Sequence, residues 1–256
     1  MDWKLAKSLY IIVFLFINIF LIIIYMNARE DPGTAGTETA GVLDGTDIDM
    51  SVINDMDYEP VEMSVLTAVV ENFTQSDEEI SVDEIENSSQ IKREFQEEDA
   101  PEMKFNALQQ YKNEEVFRGS IYTYDEVMST DTQKIFNQTY NDFPVFNHEA
   151  ARLLFSGDTE ADTFEQTMLE DIEPDAYTLP VDAKSPKRGV EELYRQERIS
   201  EEAVILSARL GYFVIFVEED QVMLRPKWEF HVDDQNVSKT IYVDATSDTE
   251  EIIESE

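Results

Sequence analysis

A chain of 256 residues with 56 acidic and 19 basic side chains carries a formal net charge of -37, and it contains no cysteine. Such an excess of acid excludes nucleic acid as a partner, because neutralising phosphates takes a basic surface. The missing thiols exclude disulfides, cysteine-ligated metals and thiol nucleophiles, whereas 42% hydrophobic residues are enough to build a core.

Residues 8–27, SLYIIVFLFINIFLIIIYMN, contain no charge. A helix rises about 1.5 Å per residue, so this stretch matches a hydrocarbon layer roughly 30 Å thick, and a single transmembrane helix is expected. A cleaved leader has a shorter apolar run and small residues before its cleavage site; Tyr25, Met26 and Asn27 are too bulky for one. Lys4 and Lys7 precede the span, and only Arg29, followed at once by Glu30 and Asp31, comes after it. The excess of basic residues on the inner side places residues 1–7 in the cytoplasm and the bulk of the chain outside. Trp3 suits the inner interface, and Lys4 and Lys7 fix the depth of the helix. Asn18 sits near mid-span, where a carboxamide is costly unless it is paired. Its helical neighbours Phe14, Leu15, Leu21 and Ile22 are all large, so a close-packed small-residue seam is not expected. Either Asn18 bonds to another membrane helix or it is a tolerated lone polar residue.

Residues 28–50 combine Gly, Thr, Ala and acid, and read as a flexible acidic linker with a reach of roughly 25–30 Å. A first extracytoplasmic lobe is expected over 51–175. Within it, 63–70 is a strand or short helix, 75–99 is acidic surface and loop, and 115–128 is β-branched and aromatic and reads as strand. Residues 142–147 and 151–155 look like short strands joined by a turn, and 163–172 fits strand or helix. Pro174 and Pro180 mark a boundary. The C-terminal lobe, 176–246, is clearer. Residues 187–198 place Val190, Leu193 and Tyr194 on one side of a helix. Two strand-like runs follow, 203–217 and 222–232, around the turn 218–221. In the second, Val222, Leu224, Trp228, Phe230 and Val232 take even positions. Arg225, Lys227, Glu229 and His231 take odd ones, so one face is expected buried and the other wet. Pro226 cannot donate to a ladder, which points to an edge or a bulge. A third strand, 240–245, turns Ile241, Val243 and Ala245 inward. Residues 247–256 form an acidic tail expected to fray. The class is α+β, with a helix on an antiparallel meander.

Chemistry is scarce. His148 and His231 are the only histidines, both read as turn or surface residues, and no nucleophile elbow occurs. Asp44, Asp47 and Asp49 lack the oxygen spacing and closing Glu of a calcium loop, and no phosphate-cradling glycine loop precedes a helix. No catalytic, metal or cofactor-binding residue and no cofactor is expected. Among so many acids no carboxylate pair stands out. Lys184, Lys187 and Arg188 read as solvated surface at a helix start, and the sequons at Asn72, Asn87, Asn137 and Asn236 matter only in a eukaryotic secretory pathway.

The opening MDWKLAK before an isoleucine-rich span, the helix GVEELY, the hairpin around ARLGYFVIF and VMLRPKWEF, the closing IYVDA, and Asn137-Gln-Thr-Tyr with Phe143-Pro-Val-Phe146 together resemble the YycI (WalI) family. The resemblance covers the layout of the whole chain and about a third of its wording; the acidic Gly/Thr linker departs from a basic or mixed one. It implies a single-pass cell-membrane regulator of the WalK/WalR two-component system of Gram-positive bacteria, with a PepSY-like C-terminal lobe in a two-lobed, β-rich ectodomain. Its implied partners are a WalK-like sensor histidine kinase and a YycH-like co-regulator, with an effect on cell-wall metabolism. The residues placed to meet a partner are then Trp3, Lys4, Lys7 and Asn18, and residues 8–27 meet the bilayer. The competing readings are a membrane-tethered carboxylate-dependent cell-wall hydrolase, which requires a cleft with two acids and a raised pKa on one, and a PepSY-like inhibitor or chaperone of an exported enzyme.

Overall fold

The computed structural model describes residues 42–43, 45–74, 85–96, 98–146, 148–247 and 252–255, together with Phe14, Ile17 and Asn18. The chain divides into two units, Met1–Ala40 and Gly41–Glu256. In the first, Phe14, Ile17 and Asn18 are helical, and the Asn18 Nδ2 donates to the Phe14 carbonyl at 2.8 Å. Trp3, Lys4 and Lys7 lie outside the described residues. Among the described residues no helix is long and apolar enough to cross a membrane.

The second unit is β-rich. In chain order it comprises the helical turn α1 (Ser51–Asn54), β1 (Glu62–Met63), β2 (Leu66–Val70), β3 (Ile85–Asn87), β4 (Gln90–Glu94), α2 (Phe105–Glu115), β5 (Tyr122–Asp125), β6 (Gln133–Tyr140) and β7 (Phe143–Phe146). These are followed by β8 (Arg152–Gly157), β9 (Ala161–Gln166), β10 (Leu169–Pro174), β11 (Val181–Asp182), α3 (Pro186–Arg195), β12 (Val204–Glu218), β13 (Gln221–Asp234), β14 (Val237–Asp244) and β15 (Ile253–Ser255). One pairing path runs β10-β2-β13-β12-β7-β6-β8-β9-β4-β3, with β14 on β13, β15 on β14 and β5 on β6. Every pair is antiparallel except β7 with β12, where Val145 faces Tyr212 and Phe146 faces Phe213.

Two hydrophobic cores lie along this path. The first gathers Val190 and Leu193 of α3 with Trp228, Phe230 and Val232 of β13. The α3 helix starts where the sequence places it: the Ser185 side chain accepts from the Arg188 amide, and Pro186 occupies the first turn, where its missing N–H costs nothing. The second core gathers Leu108 of α2 with Phe136, Phe155, Phe164 and Met168. Strands from both sides of residues 175/176 meet in one ladder, since β2 and β10 pair with each other and β2 pairs with β13.

Several local expectations change. Within 75–99, expected to be mostly surface and loop, β3 and β4 form, with Ile91 of β4 buried. Glu115 closes helix α2, so strand begins only at Tyr122. Residues 163–172 are strand, split between β9 and β10. The end of the expected linker is docked, with Ile48 buried and the Asp49 amide bonded to the Ala203 carbonyl at 2.9 Å. Pro226 sits at no bulge, but at a local edge of β13 on the side away from β12. It falls between the residues that pair with β2, ending at Leu224, and those that pair with β14, starting at Lys227, where no ladder needs its donor. The tail is not frayed over Ile253–Ser255, which pair with β14 as β15.

Candidate functional site: a buried ionic network between two cores

The odd-numbered face of β13, expected to be wet, is largely covered. Lys227 is 2% and Glu229 1% exposed. Its even residues pack in the α3 core, and on its odd face Glu229 meets Arg209 of β12, which also binds Asp125 of β5. Alternation of apolar and charged residues reads the same whether the charged face meets solvent or a polar seam, and here it meets a seam.

The row across this face follows from register. Arg209 on β12 lies opposite Glu229, and Glu229 lies opposite Tyr242 on β14. The Arg209 Nε donates to Glu229 Oε1 at 2.8 Å, and its terminal nitrogen donates to Asp125 Oδ2, at the end of β5, at 3.0 Å. Asp125 is 1% exposed and also accepts from the Met128 amide at 3.1 Å and from the Asn137 carboxamide. The guanidinium stacks 5.5 Å from the centre of the Phe146 ring on β7. Tyr242 is held between Phe146 and Phe213, at centroid distances of 5.8 and 4.7 Å. One cation thus serves two buried carboxylates from two different parts of the sheet.

Burial pushes the Glu229 carboxyl above the ordinary carboxylate range; Arg209 opposes this, and the charge of Asp125 adds to it. Burial also makes the Tyr242 hydroxyl harder to ionise, and the neighbouring Glu229 charge works the same way. The Arg209 side chain loses hydration too, but Glu229 and Asp125 more than restore its charge and raise its proton affinity. Glu229 Oε2 and the Tyr242 hydroxyl have no well-formed hydrogen bond among the described residues, although they are close enough to influence each other's titration.

The neighbouring Asn137-Gln138-Thr139 run is built inward as well. Gln138 exchanges two 2.7 Å hydrogen bonds with the Leu169 backbone, and Thr139 donates to the Ile121 carbonyl at 2.8 Å. Asn137 is 1% exposed, so its sequon is closed to any modifying enzyme. A second buried cation, Lys112 of α2, donates to the Gly119 and Tyr122 carbonyls at 2.8 Å each, and burial lowers its proton affinity.

The histidines are tied to local structure. His148 accepts from the Ala150 amide at Nδ1, and burial holds its pKa below the usual value. The ring of His231 lies between the hydroxyls of Thr240 and Ser238. Lys184 is not solvated: its Nζ bonds Glu192 at 2.9 Å and the Ser247 carbonyl at 2.7 Å. The Asp49 carboxylate accepts from the Ser51 amide, and among the described residues no group of three or more metal-ligating side chains converges.

The network has two acids and one raised pKa but no cleft. Both carboxylates are bound to Arg209 and shielded, which leaves no space for a sugar or an attacking water. An open groove of about 710 Å³ lies elsewhere, lined in part by Tyr194, Arg198, Ser200, Asp234 and Lys239. There Asp234 is committed to Ser200 at 2.6 Å and to Lys239 at 3.3 Å.

Two cores along one pairing path, a helix on an antiparallel meander and a buried ionic seam define a β-rich α+β class of fold. The family model described as YycI protein matches residues 45–246, and the chain belongs to that family. No curated protein matches the sequence. Among solved structures, an uncharacterized protein from Eubacterium rectale ATCC 33656 is similar at 10% identity and a TM-score of 0.31, over 50% of this chain and 44% of that one. The chain therefore spans less than half the length of that protein.

Proposed function

We propose that this protein is a membrane-anchored, non-enzymatic regulator of a WalK-type sensor histidine kinase, acting with a YycH-like co-regulator on cell-wall metabolism. The observation that carries the reading is the family match over residues 45–246. The uncharged run 8–27 supports an anchor with the N-terminus inside and the folded unit outside the cell membrane. The Asp125–Glu229 pair, bound to Arg209, is not the open pair of acids that a carboxylate-dependent hydrolase requires.

Such a subunit shifts the kinase only by the difference between its binding energies to the two kinase states, and about 1–3 kcal/mol gives a 5–150-fold bias. Contacts of one helix with its neighbours in the bilayer are of that order. Trp3, Lys4, Lys7 and Asn18 are the residues placed to make or orient them. The test is to express residues 1–30 alone in a strain lacking the protein. Restored regulation of the kinase supports the reading; kinase output that neither the fragment nor the full chain changes overturns it.

A further inference from the structure

β14 is an edge strand with a cover. One side pairs with β13 along its length, and on the other Thr240, Ile241 and Tyr242 face Ser255, Glu254 and Ile253 of β15. Two side chains seat the cover. Ile252 is buried in the core beneath α3, and Glu254 reaches the Lys239 ammonium at 3.4 Å. Lys239 is also bound to Asp234 at 3.3 Å and donates to the Arg198 carbonyl at 2.7 Å, so this cation stays at the edge whether or not Glu254 is there. The family match runs through β14 and ends at residue 246, before β15.

A bare edge presents unpaired N–H and C=O groups to any extended chain. Strand addition draws affinity from those groups and selectivity from side-chain pockets beside them. Here the edge has both, an apolar seat and a fixed cation two positions apart. The cover is also easily displaced. It spans three paired residues, and in sequence it is flanked by Asp248, Glu250, Glu251 and Glu256 in a chain of net charge -37, so like-charge repulsion works against it.

We propose that the outer edge of β14 is a strand-addition site, filled in cis by β15 and open in trans to an extended segment of a partner protein. That segment places an aliphatic residue at the Ile252 seat and an acidic residue, two positions later, at Lys239. The site stands or falls independently of the kinase assignment.

The full chain carrying Ile252→Asp and Glu254→Lys, its fold checked by circular dichroism, is titrated with a fluorescent peptide of residues 250–256. Because the cis strand competes at high effective concentration, the peptide is expected to bind this variant about tenfold or more tightly than the unsubstituted chain. Adding Lys239→Glu, or scrambling the peptide, removes the binding. Equal affinity for the unsubstituted chain and the double variant, or binding indifferent to Lys239 and to peptide order, overturns the proposal. If the double variant does not fold, Glu254→Lys alone, which keeps Ile252 seated, is expected to move the affinity in the same direction, and an unchanged affinity overturns the proposal equally.

Discussion

Arg209 and Asp125, separated by 84 residues, are joined by a 3.0 Å hydrogen bond between β12, which flanks the α3 core, and β5, which flanks the α2 core. β7 also pairs with β12, through Val145 and Phe146. A charge-assisted bond of this kind is directional and sets geometry more than it adds stability. The two cores are therefore joined by a two-residue parallel ladder and by one guanidinium, besides the Gln138–Leu169 bonds.

Removing that guanidinium strands two buried carboxylates. Arg209→Met is expected to destabilise the folded unit by about 3–5 kcal/mol at neutral pH, measured by urea unfolding. Arg209→Lys is expected to recover only part of this, because an ammonium cannot fork to both acids. If Arg209→Met leaves the unfolding midpoint unchanged, the network contributes nothing to holding the two cores together.

Glu229 gives the network a pH signature. Its folded-state pKa is raised, chiefly by burial, so the folded protein holds this proton more tightly than the unfolded chain does. The associated stability is present below the unfolded carboxylate value and is lost as pH rises through the raised one. Glu229→Gln abolishes that loss while its amide oxygen still accepts from Arg209. Relative to the unsubstituted protein, the variant is expected to gain stability as pH rises above the ordinary carboxylate value, about 4.3. A difference that is flat across urea midpoints over this range would falsify the assignment.

Much of the C-terminal half was legible because local chemistry and tertiary burial agree there. Ser185-Pro186 caps a helix whose Val190 and Leu193 are both fully buried, and the even residues of β13 do face the core. The ionic seam was not legible, because Arg209, Lys227 and Glu229 satisfy the same period-2 pattern as a solvated face. Helix α2 escaped notice for a related reason: its inward positions include Lys112, a charged residue that is 1% exposed. β4 turns one strongly apolar residue, Ile91, to the core, too little to stand out in an acidic stretch. At the candidate contact residues, the carboxamide of Asn18 spends one donor on its own helix, and no periodicity could have shown this.

Gly211 controls how closely β7 approaches β12. A Cβ at this position would overlap the Pro144 carbonyl and lie 2.6 Å from the Phe146 ring. Backbone cannot rotate away as a side chain can, so Gly211→Ala is expected to cost about 1–3 kcal/mol. The loss should be accompanied by faster amide exchange at Val145 and Phe146. Normal stability with unchanged exchange would mean that β7 has slack that the close packing denies.

Asn18 tests the membrane arm of the proposal. Its Nδ2 bond to the Phe14 carbonyl satisfies one donor within the helix, which lowers the cost of a carboxamide among apolar side chains, and among the described residues it is the one bond the carboxamide makes. Interhelical bonds of this kind contribute about 0.6–2 kcal/mol. Asn18→Leu is therefore expected to weaken co-purification with the kinase from mild detergent by about three- to thirtyfold, by the conversion of 1.4 kcal/mol to a factor of ten. Asn18→Gln, with the same groups on a longer arm, should restore part of it. Recovery identical for all three proteins would show that Asn18 serves its own helix alone, and would leave the partner contacts to the large apolar side chains around it.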